Sequence, residues 1–135
     1  MKTVQIHRFR SARLPEPAER GWFKIYSNEF LSLSPFIPAV ISTDIQIISD
    51  SSIICSSDPE LIQSKGIHVM SSKPIISGGI IRLIVMRLSS GSNNHRFQFL
   101  PGEGTSVIRP GDPVGMVCFI NELEQTILFE TQPGG

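Results

Sequence analysis

The spacing of turn-forming residues limits this chain more than any other feature. Apolar residues come in short alternating or β-branched runs: VQIHRF (4–9), FKIYS (23–27), AVISTDIQII (39–48), SSIIC (51–55), GIHVM (66–70), GIIRLIVMRL (79–88), HRFQFL (95–100), PVGMVCFI (113–120) and QTILFE (125–130). Each is of strand length and is bounded by Gly, Pro, Ser, Asn or Asp, which favour tight turns. Alternation places successive side chains on opposite faces of a strand, so the pattern predicts an all-β domain built as a sandwich or barrel. One helical turn is predicted over 58–66. There Asp58 caps, Pro59 takes the first helical position, where its missing N–H costs nothing, and Gly66 ends the turn.

With 135 residues the chain is expected to form a single domain over 1–130, followed by a flexible tail at 131–135. Lys plus Arg equals Asp plus Glu at 12 each, so no overall field draws the chain to nucleic acid or an anionic membrane. The basic run HRFRSAR, with Arg8, Arg10 and Arg13 near Phe9, is read as a solvated strand face. A small barrel that binds single-stranded nucleic acid is disfavoured by that neutrality and by the single Trp and single Tyr. The N-terminal MKTVQIHRFR has no apolar signal core, and no apolar run approaches the roughly 20 residues of a membrane helix, so a soluble, non-secreted chain is expected.

Cys55 and Cys118 lack CxxC spacing and sit in apolar surroundings, which predicts two free, unreactive thiols in a reducing compartment. His7, His68 and His95 show no metal-ligand spacing, and no metal is predicted. The glycines at 78 and 79 and the PGEG at 101–104 are turns, because neither is followed by the Lys-Ser/Thr of a phosphate cradle.

Taken in order, these segments resemble the trimeric dUTPase family, whose jelly roll hydrolyses dUTP to dUMP and pyrophosphate. The opening VQIHRFRSARLPEPAERGWFKIYS is similar to the family's first strand, its Leu-Pro turn and the segment that normally reads AGYDLY. PFIPAVISTDIQIISDSSIIC is similar to its extended hairpin region, LIQSKGIHV to the strand entering the uracil pocket, and RPGDPVGMVCF to its PGDRIAQLVF. The resemblance implies a dUTPase-like β jelly roll or distorted barrel, assembled as a homotrimer in which the C-terminal strand QTILFE is exchanged between subunits.

The resemblance also implies where the chemistry should lie, and there the side chains differ. Lys24 stands where the family's first motif has an Asp. Asp58, Pro59 and Glu60 replace the Arg-Ser-Gly that cradles phosphate, setting two carboxylates where an anion should bind. Two like charges about 4 Å apart repel by several kcal/mol in a partly buried setting. Ser77 falls at the general-base Asp, and serine is no base near neutral pH without a partner. In the fourth motif Gly111 and Asp112 keep the turn, while Pro113 and Met116 replace its Arg and its phosphate-binding Gln. The glycine-rich lid of the fifth motif has no counterpart in ELEQTILFETQPGG beyond two terminal glycines.

The expected function is therefore a catalytically inactive dUTPase-like protein, viral in origin, acting through a host or viral protein partner in the host cytoplasm or nucleus, with no cofactor. The GDPVG turn and the chain length are similar to the dUTPase-like early-region-four proteins of adenoviruses, but QPGG lacks the hydrophobic terminal residue that a PDZ domain captures. The competing reading is an active dUTP diphosphatase that uses Mg2+ and takes its base from Asp44, Asp50, Asp58 or Glu60. Trp22, Phe23, Tyr26 and Phe129 are candidate interface anchors, with core packing the competing reading for the first three. The segment 89–106, SSGSNNHRFQFLPGEGTS, is longer than the family's usual connection and is expected to pack as an extra hairpin or present a binding edge.

Overall fold

The computed structural model describes residues 2–19, 21–48, 52–88, 106–119 and 126–130. In chain order the elements are β1 (Lys2–Arg8), β2 (Glu16–Pro17), β3 (Trp22–Tyr26), β4 (Leu31–Leu33), β5 (Ala39–Ile47), β6 (Ile53–Ser56), α1 (Pro59–Lys65), β7 (Ile67–Val69), β8 (Ile75–Ser77), β9 (Ile80–Arg87), β10 (Ser106–Ile108), β11 (Pro113–Phe119) and β12 (Thr126–Glu130). The predicted strand at 95–100, the rest of the 89–106 insertion up to residue 105, and the 131–135 tail lie outside the described residues.

Three sheets form. The largest runs β12-β1-β5-β9-β7, with β8 paired to β9; a second runs β2-β3-β11-β6; β10 and β4 make a short pair. Pairing is antiparallel except between β1 and β12, which lie parallel with Gln5 opposite Phe129. The core forms between the two larger sheets, as strand alternation requires. β1, β5, β7 and β9 contribute Val4, Ile6, Ile41, Ile45, Ile67, Ile81, Leu83 and Val85. β3, β6 and β11 contribute Phe23, Ile25, Ile53, Cys55, Val114, Val117 and Phe119. Phe23 and Phe119 meet edge to face, with ring centroids 5.9 Å apart.

A kink in β5 and a tight hairpin shape the larger sheet. β5 shifts register between Ser42 and Gln46, where Asp44 takes φ 53. The kink buries polar groups, and each finds a partner: Thr43 Oγ1 donates to the Ile81 carbonyl at 2.8 Å, and Asp44 accepts from Ser42 Oγ and Asn28 Nδ2. β8 and β9 join through Gly78 and Gly79, whose φ values of 62 and 80 suit a two-residue hairpin with positive φ at both centres.

Helix α1 has the caps the sequence predicts. Asp58 accepts from the Glu60 N–H at 3.0 Å, Pro59 opens the helix, and Gly66 closes it in the left-handed region with φ 67.

Candidate functional site

Register places the altered side chains in one line. Lys24 on β3 is opposite Glu16 on β2 and Met116 on β11, and Met116 is opposite Ser56 on β6. Phe23 and Ile25 point into the core, so Lys24 and Tyr26 point to the other face, where the chain leaves β6 and enters α1. The result is a cleft of about 430 Å³, lined by Glu16, Pro17, Ala18, Glu19, Lys24, Tyr26, Asp58, Pro59, Glu60 and Met116. Five of the positions singled out in the sequence, Lys24, Asp58, Pro59, Glu60 and Met116, thus meet in one place. Ser77 does not join them. It is exposed at the β8–β9 hairpin.

On the α1 side of the cleft the charges meet at Lys24. Lys24 Nζ lies 3.7 Å from Asp58 Oδ2 and 3.9 Å from Glu60 Oε2. Asp58 is buried, with its side chain 4% exposed, whereas the Glu60 side chain is 87% exposed. The expectation of two mutually repelling carboxylates is corrected here, because Lys24 arrives from another strand and stands by both. Glu16 and Glu19 bring the lining carboxylates to four against one ammonium.

On its β2 side the cleft is closed by a second cluster. The Tyr26 hydroxyl donates to Glu16 Oε1, and Arg13 donates to the same oxygen at 3.1 Å. The Arg13 guanidinium lies 3.7 Å over the Tyr26 ring and donates to the Gly111 carbonyl at 3.0 Å. The Tyr26 hydrogen bond, helped by Arg13, holds the Glu16 carboxyl below its usual range. Burial first, then the bond to Glu16, pushes Tyr26 up to about 12.

Asp112 Oδ2 accepts from the Arg109 N–H at 2.9 Å, and Gly111, with φ 92, donates its N–H to the Ser27 carbonyl. Pro113 follows as the first residue of β11. The turn joins β11 to the end of β3 and contributes no side chain to the 430 Å³ cleft.

Among the aromatics, Phe23 is 5% and Tyr26 3% exposed within this chain, as core packing requires. The cause is local: Phe23 points into the core against Phe119, and Tyr26 is covered by Arg13 and Glu16. Trp22 is half-buried, and Phe129 is placed by register alone. Among the alternative bases, Asp44 belongs to the β5 kink with Ser42, Asn28 and, at 3.9 Å, Arg10; Asp50 lies outside the described residues. Cys55 is buried, donates to the Ser71 carbonyl, and is pushed up to about 11 by burial; burial also raises Cys118. No group of three His, Cys, Asp or Glu side chains that could hold a metal ion occurs among the described residues. Nor is any helix among them long and apolar enough to cross a membrane.

No protein-family profile and no curated protein matches the chain. Solved structures do. A mutant dUTPase from phage phi11 of S. aureus, studied for the coordination of a structural Mg(II) ion, aligns at TM-score 0.66 and 19% identity over 92% of this chain and 96% of that one. A second phi11 dUTPase structure, which visualises a species-specific insert, aligns at 0.66 and 19% over 99% and 100%. The Staphylococcus bacteriophage 80alpha dUTPase with dUpNHpp aligns at 0.63 and 19% over 99% and 94%, and is described among phage dUTPases that control transfer of virulence genes by a proto-oncogenic G protein-like mechanism. At these identities the likeness is one of architecture, and over nearly its whole length this chain has the fold of the dUTPases.

Proposed function

We propose that this chain is a dUTPase-fold protein that does not hydrolyse dUTP and acts instead by binding a host or viral protein. The observation that carries the reading is Lys24. It is the only cation lining the cleft among the described residues, and it is already neutralised by Asp58 and Glu60. An incoming triphosphate meets a lysine held by Asp58 and Glu60, a Glu16 held by Arg13 and Tyr26, and the further carboxylate of Glu19. The phage origin of the similar structures supports a viral source, and the virulence-gene control described for phage dUTPases is a precedent for a regulatory role of this fold. The host cytoplasm or nucleus is the proposed location.

A homotrimer is part of the proposal. On β9, Ile81, Leu83 and Val85 face the core, so Ile84 faces outward. Val40 is opposite Ile84, and the Met70 N–H donates to the Ile84 carbonyl, which sets three apolar side chains side by side on the outer face. Val40 is 47% and Met70 42% exposed in the isolated chain. An apolar sheet face of this kind calls for a cover. β12, beside β1 at the edge of the same sheet, is the strand proposed to exchange between subunits.

The competing reading, an active dUTP diphosphatase, is favoured by the fold it shares with a dUpNHpp-bound enzyme. Its candidate bases Asp58 and Glu60 are tied to Lys24. Pyrophosphate release from dUTP with Mg2+, measured alongside the mass of the assembly in solution, separates the readings. The expected result is no release above the protein-free rate from an assembly of three chains. Turnover would overturn the silent reading, and a monomer would overturn the trimer.

A further inference from the structure

The seven residues of α1 are lightly fastened. Leu61 is the one buried side chain of the helix, at 7% exposure. Beside it the Ser57 hydroxyl accepts from the Val69 N–H at 2.8 Å, the Gly66 carbonyl accepts from the Leu88 N–H at 2.9 Å, and Lys24 reaches Asp58 and Glu60. The first turn of α1 also separates two hollows. The 430 Å³ cleft lies on the Lys24 side, and a smaller one of about 160 Å³ lies against Ile67, Ile108, Asp112 and Pro113. Asp58 and Glu60 line both.

We propose that the first turn of α1 is a flap held down by Lys24, and that breaking the Lys24 ion pairs lets the turn lift and joins the two hollows. The two legs of the fastening differ in kind. The Asp58 leg is sheltered and also holds the helix cap, whereas the Glu60 leg is exposed and weakened by salt. The turn lifts by unwinding, which breaks its own bonds from the Leu61 and Ile62 N–H groups to the Asp58 carbonyl, both 3.0 Å, while the strands keep theirs. The device is independent of whether the cleft ever takes a nucleotide.

Amide hydrogen exchange tests it on the full chain. Lys24→Met is expected to speed exchange at Leu61 and Ile62 by roughly tenfold and to leave the β9 amides at the wild-type rate, while Lys24→Arg stays close to wild type. In the wild type, raising salt from about 0.05 M to about 0.5 M is expected to speed the same two amides by about twofold, and Lys24→Met to lose that response. Unchanged exchange in Lys24→Met overturns the proposal, as does acceleration shared equally with β9. Should Lys24→Met fail to fold, the wild-type salt series decides: acceleration confined to α1 supports the flap, and a flat or uniform response overturns it.

Discussion

The two faces of β3 and β11 lie within one pleat of each other and follow different rules. Inward, Phe23, Ile25, Val117 and Phe119 pack among themselves and against β1, β5 and β9, and all are nearly inaccessible. Outward, Lys24, Met116 and Glu16 form a row whose members are held by charge and by neighbours from α1 and β2. The inward face needs only apolar residues of suitable volume, and many sequences supply them. The outward face needs particular groups at particular distances to grip a triphosphate, and this chain places an ion-pair cluster there. The inward face can therefore keep a fold while the outward row carries different side chains.

Substitutions on the two faces should separate by size of effect. Ile25→Ala, at a fully buried position, is expected to cost about 3–4 kcal/mol in denaturant unfolding. Gly115→Ala comes next: a Cβ there would lie 2.8 Å from Val69 Cγ2, 2.9 Å from Leu83 Cδ1 and 3.2 Å from the Ser56 carbonyl oxygen. Backbone limits relief on one side, and a loss of about 1–3 kcal/mol is expected. Asp58→Ala removes a cap and the sheltered partner of Lys24, for about 1–2 kcal/mol. On the outer row, Met116→Leu should stay under about 1.5 kcal/mol by the same measurement. An outer substitution that cost more than Ile25→Ala would break the comparison.

The smallest expected effect is spectroscopic. Tyr26 is the only tyrosine of the chain, so absorbance of tyrosinate reports it alone. Its folded value of about 12 lies above the ordinary 10. The folded state thus holds this proton more tightly, and the stability linked to it is present below pH 10 and lost as pH rises through about 12. Titration of the native protein near 10 would show that the Glu16 and Arg13 cluster does not cover the ring.

How legible these features are in the sequence depends on how local their causes are. The long strands and α1 follow from signals carried by a few adjacent residues, such as Asp58, Pro59 and Gly66. The short strands β2, β4, β8 and β10 were not anticipated, because Glu16–Pro17 or Leu31–Leu33 become strands only through a partner. The same holds for the site. The resemblance brings Lys24, Asp58 and Glu60 to attention one by one, but the ion pairs between them span β3 and α1 and exist only once the sheet has formed. Ser77 shows the converse: a position implied by resemblance that the fold leaves at an exposed hairpin. Asp44 is a candidate base by sequence, and nothing next to it in the chain announces Asn28 as its partner.

The central claim is that the cleft beside Lys24 cannot hold a deoxynucleoside triphosphate, and calorimetric titration with dUpNHpp and Mg2+ tests it most directly. The account predicts no heat beyond dilution, at low salt as well as high. Saturable binding at one nucleotide per chain, weakened by Lys24→Met, would contradict it.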